Sequence, residues 1–319
     1  MKRTGWVAIG ILYTVVAMWG QPPLIVVYKS GDAPFYQQAV DGLIKELERR
    51  GHRSGKETEY LVLTLKDGKL AKPSRLPALF VAVGIDAARA LRASLQSSSS
   101  APHPPVVFLM VMDPVAEGLV ENGGGDGGRF VGVLLSIRPQ RQFRALLDLM
   151  PTAKRIGVVY NPEDAVSSRL IAQAQKDADQ MGLQLVPVAI TQPTELANAL
   201  AQLRGQIDTF WLIPDPLVAT PTALEAIQAF CKEQKIPFIG FTESHVKRGA
   251  LVAIGVDFID QGVVGAELVE QLLQGADPAT LPILTPRRLR TFYNLATARA
   301  LGITIPETLL NLADGVVER

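Results

Sequence analysis

From residue 24 onward, unbroken apolar runs of strand length alternate with longer stretches whose apolar positions recur every three or four residues. The runs are Leu24–Tyr28, Tyr60–Leu65, Leu79–Val83, Val106–Val111 and Phe130–Leu135. A second series is Ile156–Tyr160, Leu185–Ile190, Thr209–Ile213, Pro237–Gly240 and Leu251–Val256. Continuous hydrophobicity, unlike alternation, marks strands covered on both faces, as in parallel sheets. Between them, Val40, Leu43, Ile44 and Leu47 hold helical spacing and Gly51 stops it. Leu196, Ala199, Leu200 and Leu203 repeat that spacing, with Thr194 placed to cap and Gly205 to terminate. Ala165–Met181 and Gln261–Leu273 read as further helices. Strand and helix alternating in this way predict an α/β fold with right-handed crossovers and doubly wound sheets.

The pattern is echoed within the chain. Leu24-Ile25-Val26-Val27-Tyr28 opens one series and Ile156-Gly157-Val158-Val159-Tyr160 the other. Later in each, an apolar strand runs into Asp-Pro, at Asp113-Pro114 and at Asp215-Pro216. Two similarly wound lobes account for both observations. The Ser- and Pro-rich stretch Ser97–Pro105 and the Gly-rich stretch Asn122–Gly128 read as surface connections.

The first twenty residues differ in kind. Met1-Lys2-Arg3 precedes an apolar run from Trp6 to Trp19. As a helix that run spans about 21 Å, short of the ~30 Å hydrocarbon core. Basic, apolar and then small residues form the order of a secretory signal, with processing after Ala17. An uncleaved membrane anchor and a buried first helix are the competing readings.

Composition narrows the function classes. Thirty-two Lys and Arg against 31 Asp and Glu give a net charge of +1, so no broad attraction to nucleic acid follows. At 319 residues, 48% of them hydrophobic, the chain has material for about two cored domains. The single cysteine, Cys231, excludes an intramolecular disulfide, and its apolar neighbours mark it as buried and inert. His52, His103 and His245 are too scattered for a metal-ligand pattern. No cofactor or metal motif survives inspection. Gly123, Gly125 and Gly128 match G-x-G-x-x-G, but a helix is expected before them and a strand after. A dinucleotide site needs the reverse order. His245 beside Glu243 has no nucleophile nearby and reads as a helix-end residue. Nothing in the sequence points to catalysis.

The later sequence is more specific. Asp113-Pro114-Val115 with Gly118-Leu119-Val120 leads through the Gly-rich stretch to Gly132-Val133. Lys154 to Pro162 forms a second block, Ile236-Pro237-Phe238 a third and Val246 to Leu251 a fourth. Leu301-Gly302-Ile303, Ile305-Pro306-Glu307, Leu309-Leu310 and Ala313-Asp314 close the chain. In this order the blocks resemble the ABC transporter substrate-binding protein family that includes tryptophan- and tyrosine-binding members. The resemblance covers about residues 106–317 well and 24–95 loosely. Family members often carry Gly-Thr or Gly-Ser where this chain has Gly84-Ile85, and His-Pro where it has Ala33-Pro34. A hydroxyl that would help hold a ligand carboxylate is therefore missing at Ile85.

The resemblance implies a type I periplasmic-binding fold: two doubly wound Rossmann-like lobes joined by a three-segment hinge. Lobe one would comprise residues 22–135 plus 256–281, and lobe two 136–255 plus 282–319. The chain would cross near Leu135, Gly255 and Pro282, with Arg287–Leu301 packing on lobe two. It also implies a small-molecule ligand, an ABC permease in the membrane as partner, no nucleic acid, and a monomer outside the cytoplasm.

In doubly wound sheets, ligands sit off the carboxyl ends of the strands. The candidates in lobe one are Ser30, Asp32, Tyr36, Gly84, Asp86 and Asp113. Gly84-Ile85 entering a helix at Asp86 would present backbone N–H groups to an anion, while Asp86 reads equally as a helix N-cap. Lobe two offers Asn161, Asp215, Phe241 and Glu243. Asp215 is placed either to pair with a ligand ammonium or to make an Asp-Pro turn. Tyr36 and Phe241 are placed to stack on a flat ligand or to fill core. Capture of a small organic ligand, such as an amino acid or an aromatic compound, for a permease is the leading expectation. A ligand sensor docking a membrane receptor and an α/β enzyme are the alternatives.

Overall fold

The computed structural model describes residues 21–97, 103–121, 124–125 and 128–318. The expected secretory signal or anchor, residues 1–20, lies outside them, as do parts of the Ser/Pro-rich and Gly-rich stretches. In chain order the first half holds β1 (Leu24–Lys29), α1 (Pro34–Arg49), β2 (Glu59–Thr64), β3 (Leu79–Val83), α2 (Ile85–Ser97) and β4 (Val106–Val111). The short β5 (Val120–Glu121) and β6 (Gly124–Gly125) follow, then β7 (Phe130–Leu134). Next come α3 (Pro139–Leu149), β8 (Arg155–Tyr160), α4 (Ala165–Gln180), β9 (Gln184–Ala189), α5 (Leu196–Leu203), β10 (Thr209–Trp211) and α6 (Pro221–Gln234). The remainder is β11 (Phe238–Gly240), α7 (Glu243–Lys247), β12 (Val252–Val256), α8 (Phe258–Leu273), β13 (Leu289–Asn294), α9 (Leu295–Leu301), α10 (Glu307–Asn311) and β14 (Gly315–Val317).

The strands form two main sheets. One has the order β2-β1-β3-β4-β7, with every pair parallel. The other has the order β14-β13-β12-β11-β10-β8-β9, parallel except between β12 and β13. Each strand feeds two cores, because successive side chains point to opposite faces. Ile25, Val27, Val81 and Val107 face α1 and α8, while Leu24, Val26, Phe80 and Val106 face α2. The second sheet divides the same way: Ile156, Val158 and Trp211 lie on one side, Val159, Phe210 and Leu212 on the other. This two-faced burial is why the strands read as unbroken apolar runs.

Helix α8, although late in the chain, belongs to the first lobe. It crosses α1 at backbone contact: a Cβ on Gly42 would lie 2.2 Å from the Ile259 carbonyl oxygen, and one on Gly262 2.0 Å from that of Ala39. Only glycine permits that approach. Three chain segments therefore connect the sheets, after β7, after β12 and before β13. Leu284 still bridges to Val133 of β7, so the last segment leaves the first lobe beyond Leu284, past the expected crossing at Pro282.

Two local expectations are corrected. No helix precedes the Gly-rich stretch: the loop after β4 turns through Pro114–Gly118 into β5, which pairs antiparallel with β6. Thr194 does not cap α5. Gln192 and Glu195 form a capping box on a short turn, residues 193–195, ahead of it, which satisfies the Gln192 and Glu195 N–H groups.

Candidate functional site

The carboxyl ends of both sheets face each other across an apolar cleft of about 350 Å³. Met110 and Met112 reach it from the end of β4, Trp211 and Pro214 from β10, Phe241 and Thr242 from β11, Gly255 and Val256 from β12. The starts of α1 and α8 add Phe35 and Phe258, whose rings lie 5.6 Å apart. Leu135, Ser136 and Ile137 of the first crossing form part of the wall, and Gln142 and Leu170 close the second-lobe side. Both lobes and two of the three crossings thus contribute to one cavity.

Met110 is placed there by a bulge. Between the pairs Phe108↔Gly132 and Val111↔Leu134, β4 advances three residues while β7 advances two. The extra residue leaves Met110 at φ +59, a left-handed conformation costing about 1–2 kcal/mol for a residue with a side chain. Gln261, fully buried on α8, holds the distortion: its Oε1 accepts the Met110 N–H (3.2 Å) and its Nε2 donates to the Leu134 carbonyl (2.8 Å).

A second buried amide sits at the cavity. Trp211 Nε1–H donates to Gln142 Oε1 at 2.9 Å, and Phe143 meets the indole edge-on with centroids 5.1 Å apart. An indole N–H only donates, so the oxygen of Gln142 must face it, whichever way the amide is drawn. The Gln142 NH₂ is left with no partner among the described residues, yet it is not sealed in the protein interior. Gln142 lines the cleft, which makes this NH₂ a candidate donor to a guest there.

The residues expected from the sequence divide into three groups. Phe241 lines the cleft. Ser30, Tyr36 and Gly84 gather at the start of α2 but lie outside the cleft lining. Ser30 Oγ accepts the Ala87 N–H (2.9 Å), so Ser30, not Asp86, caps the helix. Asp86 stands exposed within the first turn. Gly84 has φ +95, and a Cβ there would sit 2.5 Å from Ser30 Oγ and 2.7 Å from the Tyr36 ring. Tyr36 packs on Phe35 with centroids 4.5 Å apart. Its hydroxyl pKa is raised by burial and by Asp86, against a hydrogen bond with Ser30.

The carboxylates are engaged elsewhere. Asp32 is exposed and accepts from Thr64 Oγ1 (2.9 Å). Asp113 accepts the Val115 and Ala116 N–H groups with one oxygen and pairs with Arg169 of α4, across the lobes, with the other (2.6 Å). Asp215 is fully buried. Its Oδ2 accepts the Asn161 N–H (2.7 Å), and its Oδ1 accepts those of Leu217 (2.8 Å) and Val218 (3.2 Å). Backbone donors occupy both oxygens, so the turn reading prevails over ammonium pairing. Asn161 itself makes a turn, accepting the Glu163 N–H (2.9 Å). Glu243 is exposed and pairs with Lys247 (2.7 Å).

Two further residues follow from their surroundings. His245 packs edge-on against Phe241 and accepts its N–H at Nδ1 (3.2 Å). Burial, reinforced by Arg248, lowers its pKa to about 4, so the ring is neutral near pH 7. Cys231 is buried, and burial pushes its thiol pKa up. Among the described residues, no group of three His, Cys, Asp or Glu side chains is placed to hold a metal ion.

Sequence reasoning missed Met110, Met112, Gln142, Trp211, Phe35 and Phe258. The strand-end rule that selected Asp113 points equally to Met110 and Met112, but apolar residues at strand ends look like core. Gln142 gives no signal of its own in the sequence.

Two α/β lobes, linked by three chain segments and facing a shared cleft, form the two-lobe fold of periplasmic binding proteins. The family described as ABC transporter substrate binding protein matches residues 25–317, and the chain belongs to it. A relative from Clostridioides difficile (strain R20291), named tyrosine-binding protein, is 26% identical over 274 residues, covering 85% of this chain and 78% of the relative. Two solved structures share the fold, each covering 93% of this chain and 100% of the other. A ligand-free, open substrate-binding protein with adhesive properties from Clostridium difficile has a TM-score of 0.77 at 23% identity. An ABC domain in complex with L-Trp from Streptococcus pneumoniae has 0.67, also at 23% identity. Among the described residues, no helix is long and apolar enough to cross a membrane.

Proposed function

We propose that this chain is the extracytoplasmic solute-binding component of an ABC transporter, capturing a small organic ligand between its lobes and delivering it to a membrane permease. The observation that carries this is the cleft: it draws its walls from both lobes and from the crossing segments, so occupancy and lobe position are coupled. A ligand touching both walls favours the shut arrangement by its differential affinity for the two states. The work is binding, with no chemistry. Asp113 and Asp215 are tied to backbone and to Arg169, and the imidazole of His245 is taken by the Phe241 N–H. The relatives named for tyrosine and tryptophan support a small, partly aromatic ligand.

The test is a thermal-shift screen of the purified protein against amino acids, small aromatics, purines and sugars, followed by scattering with each hit. A ligand at 100 times its Kd adds about 2.7 kcal/mol of stability, which raises the melting temperature by several degrees. A ligand that raises stability without compacting the scattering curve contradicts the proposal, as does turnover of any compound.

A further inference from the structure

We propose that the cleft takes a neutral, flat, largely apolar solute carrying a hydrogen-bond acceptor that the side-chain amide of Gln142 reads. This rests on the solute-binding reading and names its substrate class. The first support is what the lining lacks: none of the residues forming the 350 Å³ cavity is charged. Its polar side chains are Ser136, Gln142 and Thr242, all neutral. Two of the carboxylates at the strand ends are spent, Asp215 on three backbone N–H groups and Asp113 on Arg169 and two more, and Asp86 stands outside the lining. A zwitterion seated wholly within this lining would meet no counter-charge there, which penalises binding.

The second support is what the lining offers. Phe35, Phe241 and Phe258 present aromatic surface, and Met110 and Met112 supply soft side chains that adapt to a flat guest. Within this apolar wall the Gln142 NH₂ is fixed in direction, because Trp211 holds the other end of the amide (2.9 Å). A donor held in one orientation inside an apolar cavity rewards a guest acceptor there and penalises a guest without one. A carbonyl, a ring nitrogen or a phenolic oxygen on an aromatic frame meets both demands.

The experiment compares three probes of similar size by calorimetry on the full chain, with the Trp211 indole N–H resonance reporting the site. Acetophenone has a ring and one acceptor, toluene a ring alone, and L-phenylalanine a ring with a zwitterion. Acetophenone is expected to bind at least tenfold tighter than L-phenylalanine and about fivefold tighter than toluene, the latter being the worth of one hydrogen bond. In Gln142→Glu, which keeps an oxygen for the Trp211 N–H and replaces the NH₂ by a second acceptor, the acetophenone-to-toluene ratio falls to about one or below. Because it is a ratio, a general loss of stability in the variant leaves it interpretable. L-phenylalanine binding as tightly as acetophenone overturns the neutral-solute inference while leaving solute binding intact. A ratio unchanged in Gln142→Glu overturns the role of the amide. If no probe shifts the Trp211 resonance, the neutral-solute inference falls, and the thermal-shift screen decides solute binding separately.

Discussion

Replacing Asp215 by alanine separates a structural carboxylate from a ligand-binding one. The side chain is fully buried and accepts the Asn161, Leu217 and Val218 N–H groups, tying the loop after β8 to the loop after β10. In Asp215→Ala, Val218 N–H keeps its second acceptor, the Asp215 carbonyl (3.2 Å), while those of Asn161 and Leu217 lose theirs. Hydrogen bonds to a charged group contribute about 1.5–3 kcal/mol each, so two lost bonds cost about 3–6 kcal/mol. For a folding unit of 150–250 residues, that lowers the melting temperature by roughly 6–24 °C. Asp215→Asn keeps one acceptor and turns an NH₂ towards a backbone donor, so it should lose an intermediate amount. The assay is paired: calorimetric melting of each variant, and ligand affinity at a temperature where it remains folded. Melting within 2 °C of wild type, with affinity for a cleft ligand abolished, would refute the structural assignment.

The other perturbations act on lobe contact and on pH. Arg169→Ala removes the exposed ion pair to Asp113 that joins the lobes, worth about 0.2–1 kcal/mol. Affinity for a cleft ligand should fall less than about fivefold and scattering should report a more open average. A double-mutant cycle with Asp113→Ala that gives no coupling excludes the pair as a lobe contact. His245 has its pKa lowered from 6.5 to about 4, so the unfolded chain takes up the proton first. Its stabilisation is complete above pH 6.5 and is lost as pH falls towards 4, amounting to at most about 3 kcal/mol. His245→Asn retains an acceptor for the Phe241 N–H without titrating, so its melting temperature should vary less between pH 6.5 and 4. Equal pH dependence in variant and wild type rules out His245 as the source.

How far the fold was legible follows from burial. Strands such as Val106–Val111 are buried on both faces, and that condition writes itself into sequence as an unbroken apolar run. The site was far less legible, for a related reason. Met110 at a cleft and Val107 in a core are both apolar residues on one strand, and only the bulge separates their roles. Asp-Pro carries the same local signal whether its carboxylate faces a ligand or the backbone. Asp215 is decided by Asn161, 54 positions away, and Asp113 by Arg169, 56 positions away. Ser30 capping α2 through Ala87 is likewise a tertiary contact that no local pattern announces.

The bulge at Met110 links the cleft to the hinge through one side chain, and that link can be tested. Gln261 is fully buried and satisfies two backbone groups that the bulge leaves without ladder partners: the Met110 N–H at the cavity and the Leu134 carbonyl where the chain leaves the first lobe. A left-handed Met110 persists only while its surroundings over-determine it. Gln261→Leu strands one donor and one acceptor in the interior, at about 1–3 kcal/mol each, so the first lobe should lose roughly 2–6 kcal/mol. The bulge then has no anchor, and Met110 can relax to a negative φ that withdraws it from the cavity. Two readouts should therefore move together: lower melting temperature, and faster amide exchange at Met110 with weaker ligand binding. A variant that loses stability but keeps wild-type affinity and exchange at Met110 would show that the bulge is held by the sheet alone. The cleft geometry would then be independent of α8.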